Sequence, residues 1–139
     1  MALRVGAVAL CVLFTIAIAR VAAQAPTLAG GVYTEQQATR GRMQYTTSCS
    51  ACHQAGLQGS DLAPALKGDD FVLKWSGFTL QDLFDKIATT MPGDAPGSLM
   101  PQANADVLAY VLQVNKFPAG QSELEPDAAA LKAISIEKK

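Results

Sequence analysis

The feature that most constrains this chain is a short string at residues 49–53, which reads Cys-Ser-Ala-Cys-His. A Cys-x-x-Cys-His string is the attachment site for a c-type haem, and each of its residues has a separate task. Side chains three or four positions apart share one face of a helix, so Cys49 and Cys52 can form thioethers with neighbouring vinyl groups of one porphyrin. His53 is then carried under the iron as an axial ligand. The sequence therefore predicts one covalently bound haem c.

Three other interpretations of these residues explain less. A structural zinc site needs about four Cys or His ligands, whereas the chain has one His and three Cys, of which Cys11 lies in an N-terminal apolar run. A thioredoxin-like redox pair would need a βαβ pattern around it, and the flanking sequence is typical of helix and loop. A disulfide between Cys49 and Cys52 would leave His53 without a role.

The N-terminus predicts export. Arg4 precedes an apolar run over residues 5–19, which is shorter than the ~20 residues of a membrane-spanning helix, and small residues follow at 21–23. This is the pattern of a secretory signal peptide. We predict a signal peptide over residues 1–23, cleaved after Ala23, and location in a bacterial periplasm with no membrane span after cleavage. An uncleaved anchor is the alternative.

The charge of the exported part argues against two kinds of partner. Removal of Arg4 and Arg20 with the signal would leave nine of the eleven basic residues against twelve acidic ones, a formal charge of −3. Such a balance favours neither nucleic acid nor an anionic membrane as a partner. We predict a linker over 24–33, one domain over 34–120 and a C-terminal tail over 121–139.

Helical patterns account for most of the predicted domain. A first helix begins at Thr34, where Gln37 completes the pattern of a capping box, and leads into the Cys-x-x-Cys-His string. A second begins at Thr79, again capped, and ends at Pro92, and a third covers residues 101–114 with a proline in its first turn. No segment shows sustained strand alternation. The predicted fold class is all-α.

Gly41 predicts how two of these helices meet. Glycine in a helix interior costs about 1 kcal/mol relative to alanine, so its presence indicates the close approach of another helix. Tyr110 of the third helix is the large side chain that suits this position, which would make the first and third helices cross. A locally weak helix is the alternative.

The segment over residues 54–78, which we call the wrap, is rich in Gly, Pro and Asp. It is too long for an idle connector in a compact domain. We expect it to cover one edge of the haem, with Leu62, Leu66 and Phe71 in contact with the ring.

From about Thr34 to Gly120 the sequence resembles class I monohaem cytochromes c. The matching pieces are the haem-attachment string, Leu-Ala-Pro-Ala-Leu at 62–66, Thr-Met-Pro at 90–92 and Ala-Tyr at 109–110. The resemblance implies a small fold in which three main helices surround one covalently attached haem. It also implies that the carbonyl of Pro64 holds the ring of the haem-binding His, as such outer hydrogen bonds do for metal-bound imidazoles.

Two further stretches, residues 89–99 and 115–120, are similar to a narrower group of cytochromes associated with quinoprotein and related periplasmic dehydrogenases. The family also places the indole of a Trp near a haem propionate. Trp75 stands at that point here, although simple packing under the second helix explains it equally well.

Two methionines compete for the sixth position of the iron. Met91 follows the second helix and precedes a flexible loop, so it can reach over the distal face, and the family pattern also leaves a loop after its ligand Met. Met100 lies at the start of the third helix, where little chain remains to cross the haem. We predict His53/Met91 ligation, which raises the reduction potential and suits an electron carrier, with Met100 as the alternative.

The resemblance implies a soluble electron carrier rather than an enzyme. Its expected partners are redox proteins: a dehydrogenase as donor and an oxidase or reductase as acceptor. One alternative is a haem subunit held stably by a dehydrogenase, and another is a haem-based sensor or peroxidase with an open sixth site. The tail over 121–139 could form a short helix, and the sequence leaves open whether it folds onto the domain or binds a partner.

Overall fold

The computed structural model describes residues 26–137, so the predicted cleavage after Ala23 lies outside the described residues. A single 3₁₀ turn at Leu28–Gly30 comes first. The helices that follow are α1 (Glu35–Ser48), α2 (Ser50–His53), α3 (Asp69–Trp75), α4 (Leu80–Thr90), α5 (Pro101–Val114) and α6 (Ala128–Lys132). Between residues 26 and 137 the only extended pairing is an isolated bridge from Thr79 to Ser135. The all-α class is confirmed.

The longest described helices, α1 and α5, have 14 residues each. Over residues 26–137, no helix has both the length and the apolar composition needed to cross a bilayer.

The crossing of α1 and α5 is built on Gly41. A methyl group added there would fall on the backbone carbonyl of Asp106, 2.5 Å from its carbon, and would lie 3.0 Å from Tyr110 Cβ. The predicted contact between the two helices is therefore confirmed. What the sequence did not indicate is that the nearest atoms of α5 belong to backbone, not to the Tyr110 ring.

The start of α1 departs from prediction at Gln37. Thr34 Oγ1 accepts from the Gln37 N–H at 3.1 Å, as in a capping box. The Gln37 side chain does not complete the box: its amide is buried and bonds the backbone of Leu124 in both directions, at 2.8 and 2.7 Å. The predicted capping box is therefore wrong at its second half. A complete box occurs at α4, between Thr79 and Asp82.

The C-terminal tail folds onto the helical body. It contains one short helix, α6, and Leu131, Ile134 and Ile136 are buried. The Leu80 N–H donates to the Ile134 carbonyl at 2.9 Å, and the Ile136 N–H donates to the Phe78 carbonyl at 2.8 Å. The tail therefore stabilises the start of α4 through backbone hydrogen bonds.

A charged cluster joins α1, α5 and the tail. The Arg40 guanidinium donates two hydrogen bonds to Asp106, both at 3.0 Å, and two to Glu123, at 2.9 and 2.7 Å. The hydrogen bonds from Arg40 hold the pKa of Glu123 below its usual range.

The buried core extends beyond the predicted domain at both ends. Tyr33, before residue 34, and Leu124, after residue 120, are both buried. The boundaries themselves stay predictions.

The wrap contains a helix that was not predicted, α3, which begins after Gly68 at φ +89°. Of the three residues expected to face the haem, Phe71 is buried, Leu66 is half-buried and Leu62 is 78% exposed. This helix has little apolar periodicity in its sequence, because it begins with two acidic residues and only Phe71 of its seven residues is buried.

Candidate haem site

The haem-attachment string forms a tight helical turn directly after α1. At Cys49 the backbone departs from helical geometry, with φ −126°, and α2 then begins. The N–H groups of Cys52 and His53 donate to the Cys49 carbonyl at 3.2 and 3.0 Å. Cys49 is half-buried, Cys52 is exposed, and both thiols are free. The turn thus presents two separate thiols on one local surface.

The two thiols differ in environment. Burial, and secondarily the neighbouring Cys52 thiol, raise the pKa of Cys49 to about 11. Cys49 is therefore a neutral thiol near pH 7. Among residues 26–137 no three His, Cys, Asp or Glu side chains are grouped so that they could hold a metal ion. Since a structural zinc site needs about four such ligands, this observation weighs against one in the described part of the chain.

His53 is buried, and its ring has a defined partner. Nδ1 lies 2.7 Å from the carbonyl oxygen of Pro64. A carbonyl can only accept, so Nδ1 carries a proton and donates, and Nε2 is the ring nitrogen available to bind a metal. Metal-binding histidines typically have this arrangement, with the second nitrogen donating to a carbonyl or carboxylate. The structure thus brings His53 and Pro64 together, while iron ligation by His53 stays a prediction.

The chain after His53 is held by hydrogen bonds back to the string. The Gly59 N–H donates to the His53 carbonyl at 3.1 Å. The Ser60 hydroxyl donates to the Cys52 carbonyl at 2.7 Å. These bonds use the last carbonyls of α2, which lack partners within so short a helix.

Tyr45 of α1 holds the residue that follows His53. Its hydroxyl donates to the Gln54 carbonyl at 2.6 Å, and Gln54 has a left-handed backbone with φ +67°. Burial is the main cause that raises the pKa of Tyr45 to about 12, so the phenol stays protonated and able to donate. Its ring packs against Tyr110 with centroids 5.5 Å apart. The α1–α5 crossing and the His53 turn are therefore mechanically linked.

The two candidate methionines occupy different surroundings. Met91 is half-buried and directly follows α4, and its N–H donates to the Ile87 carbonyl at 3.1 Å. Met100 is 74% exposed and precedes α5. The loop between them turns back on Met91, whose carbonyl accepts from the Gly97 N–H at 3.2 Å.

Trp75 is half-buried at the end of α3. Its ring lies between those of Phe71 and Phe78, with centroid distances of 6.5 and 5.7 Å. This packing accounts for the side chain in the described structure, and contact with a haem propionate stays a prediction.

Comparison with known proteins now decides the family. The model of the family described as "Cytochrome C oxidase, cbb3-type, subunit III" matches residues 36–111, which is more than half of the chain and includes the haem string, Pro64 and both methionines. This chain belongs to that family of cytochromes c. The resemblance to cytochrome c is confirmed, and with it a covalently bound haem c and a role in electron transfer.

A solved structure has a similar fold to this cytochrome. It is the sulfane dehydrogenase SoxCD from Paracoccus pantotrophus, with a TM-score of 0.52 and 19% sequence identity over 67% of this chain and 54% of that chain. This cytochrome therefore spans about half the length of the chain it matches, and the likeness establishes the fold. No protein with curated annotation is significantly similar to the chain.

The donor groups of this cytochrome fit haem c. Two free thiols stand on one helical turn, and the buried imidazole of His53 is bonded through Nδ1, which leaves Nε2 available as a ligand. Half-buried apolar side chains pack against the core, among them Leu66, Val72, Trp75 and Ile87, and their contact with a porphyrin stays a prediction. Bound there, haem c supplies one-electron redox chemistry.

Sequence reasoning missed Gly59, which lets the wrap approach His53. Gly59 has φ +76°, and a methyl group there would meet the backbone nitrogen of Ala65 and lie 2.7 Å from the Pro64 carbonyl carbon and 2.9 Å from the Ala63 oxygen. A glycine six residues after the haem histidine, shortly before a proline, was the available signal.

Gly59→Ala is accordingly expected to displace Pro64 and weaken its bond to His53. We expect a loss of about 2 kcal/mol in the free energy of unfolding, because a left-handed backbone and an overpacked contact both oppose the methyl group. Chemical denaturation of the holoprotein measures it. Gly77→Ala is the matched control, since Gly77 has φ +88° but nothing within 4 Å of the added methyl. Equal losses in the two variants would contradict the close-approach explanation.

Proposed function

We propose that this cytochrome carries single electrons between exported redox proteins, through a haem whose iron is bound by His53 and Met91. The single observation that carries the proposal is the 2.7 Å contact from His53 Nδ1 to the Pro64 oxygen beside the paired cysteines. It leaves Nε2 as a ready nitrogen ligand, and the hydrogen bond increases the basicity of the imidazole.

The surroundings of the methionines support Met91 as the second ligand. A ligand sulfur must lie against the haem, so it belongs to a side chain that is at least partly withdrawn from solvent. Met91 is half-buried, whereas Met100 is 74% exposed. Filling the sixth position keeps small molecules off the iron, which suits electron transfer rather than sensing or peroxidase chemistry.

The N-terminal sequence supports a location outside the cytoplasm. Residues 1–23 have the pattern of a signal peptide, so we propose that the mature cytochrome works in the periplasm.

The proposed partners of this cytochrome are redox proteins. A structural neighbour is a sulfane dehydrogenase, and we propose a dehydrogenase as electron donor and an oxidase or reductase as acceptor. Transient redox encounters bury small interfaces. A haem subunit held permanently by a dehydrogenase is the second candidate, favoured by the same neighbour. Purification from the native host, with or without a large partner, separates the two.

Met91→Leu tests the ligand assignment. Ferric wild-type holoprotein should show the far-red charge-transfer band of a sulfur–iron bond, and Met91→Leu should lose it because leucine has no donor atom. The reduction potential should fall by at least about 0.1 V, since axial ligands set haem potentials over several tenths of a volt. Optical spectroscopy and a redox titration measure these quantities.

Met100→Leu is the control for that experiment, because it removes a sulfur of the same chemistry from a solvent-exposed position. It should retain both the band and the potential. Loss of the band in Met100→Leu alone would overturn the choice of Met91. A wild-type ferric protein with no such band would overturn His/Met ligation and favour a sensor or peroxidase.

A further inference from the structure

Asn115 joins the end of α5 to the wrap. It is the residue that follows α5, and it is buried, with 6% exposure. Its Nδ2 donates to the carbonyls of Leu66 and Val111, both at 2.9 Å. Its Oδ1 accepts from the Gly68 N–H at 3.0 Å. One side chain thus bonds the backbone of the wrap in both directions while it stays tied to its own helix.

The part of the wrap that Asn115 bonds is next to Pro64, whose carbonyl oxygen is bonded to His53. Leu66 is two residues after Pro64, and its N–H donates to the Leu57 carbonyl at 2.9 Å. Leu66 is therefore fixed from both sides, by Leu57 through its N–H and by Asn115 through its carbonyl. The Pro64 carbonyl between this point and Gly59 has little freedom to move away from His53 Nδ1.

We propose that Asn115 is a positioning residue for His53: it fixes the wrap so that the Pro64 carbonyl keeps its hydrogen bond to the imidazole. The inference deepens the proposed function and rests on it only in taking His53 as an iron ligand. Asn115 acts through its hydrogen bonds to Leu66 and Gly68, which keep the Pro64 carbonyl close to His53. The hydrogen bond between Pro64 and His53 in turn tunes the donation of the imidazole to the iron.

The chain offers a matched control in Gln37. Its amide is also buried and also bonds a backbone segment in both directions, but that segment is Leu124 in the tail. Asn115→Ala and Gln37→Ala each remove two hydrogen bonds between a buried amide and a distant backbone segment, and Asn115→Ala also removes the bond to Val111 within its own helix. Only Asn115→Ala removes bonds to the wrap.

The readout is the exchange rate of the His53 Nδ1 proton with solvent, followed by NMR in the ferrous, diamagnetic holoprotein. We expect Asn115→Ala to speed this exchange at least about tenfold, because the wrap opens locally more often without its two bonds. The reduction potential should also rise, since a weaker bond at Nδ1 reduces donation to ferric iron. Gln37→Ala should alter the exchange rate by less than about threefold and leave the potential unchanged.

A second variant covers the case in which Asn115→Ala does not fold. Asn115→Ser keeps a small donor and acceptor, and it should change exchange and potential in the same direction by less. If Asn115→Ser and Asn115→Ala match wild type in both measurements, or match Gln37→Ala, Asn115 is merely structural and the inference fails. Mass spectrometry of the wild-type protein distinguishes failure of this inference from failure of the proposed function. A wild-type protein without covalent haem would contradict the proposed function as a whole, whereas the variants test only the role of Asn115.

Discussion

Gly41→Ala is expected to lower the free energy of unfolding by at least about 2 kcal/mol, although alanine ordinarily stabilises a helix interior by about 1 kcal/mol over glycine. The added methyl would fall on the Asp106 carbonyl group, and backbone cannot rotate aside as a side chain can. Helices α1 and α5 would have to separate, which would also loosen the packing of Tyr45 on Tyr110. Because Tyr45 holds Gln54, the loss should reach the His53 turn.

Thermal unfolding of the holoprotein measures this effect. A loss of about 2 kcal/mol should lower the melting temperature by about 10 °C in a domain of this size. Gly93→Ala is the control, since a methyl group added at Gly93 meets nothing within 4 Å and the residue has no positive φ. An unchanged melting temperature in Gly41→Ala would show that the two helices can move apart freely, and the crossing would then not depend on glycine.

The parts of the fold that were predicted correctly depend on local signals. Caps and prolines are read over a few residues, which is why the starts of α1, α4 and α5 follow from Thr34, Thr79 and Pro101. Gly41 is a local signal of a different kind: it is unfavourable where it stands, so it reports a neighbour that compensates.

The parts that were missed depend on distant partners. Gln37 has the right type and spacing for a capping box, but its partner Leu124 lies 87 residues away, and no short window could show that competition. The sequence around Asn115 is typical of the end of a helix, yet its amide also bonds residues 47 and 49 positions earlier. Buried amides find such partners only after the chain has folded.

The residues of the candidate haem site also differ in whether local sequence could predict them. The spacing of Cys49, Cys52 and His53 is fixed within one helical turn, so the sequence sufficed to predict their proximity. Pro64 was assigned through family resemblance, and nothing in its immediate neighbours indicates a bond to His53. That bond requires Gly59, whose lack of a side chain admits the backbone of residues 63–65. In the sequence, only its place between His53 and Pro64 distinguishes this glycine from other loop glycines.

Replacing both cysteines of the string is expected to abolish covalent haem. The Cys49→Ala, Cys52→Ala double variant has no thiol that could add across a vinyl group, so the mature polypeptide should carry only its own mass. Each single variant should keep at most one thioether and yield much less holoprotein, because the attachment string needs both cysteines. The protein should be produced in a host that attaches c-type haem, and its mass measured after denaturation.

Cys11→Ala is the control for cysteine replacement in general. Cys11 lies within residues 1–23 and is predicted to leave with the signal peptide, so this variant should carry the same covalent haem as wild type. Undiminished covalent haem in either single variant would contradict attachment through two thioethers. Because mass is read on the denatured chain, a folding defect alone lowers the amount of protein recovered. It does not remove a group that is bonded to sulfur, so the haem-to-polypeptide ratio reports the bonds themselves.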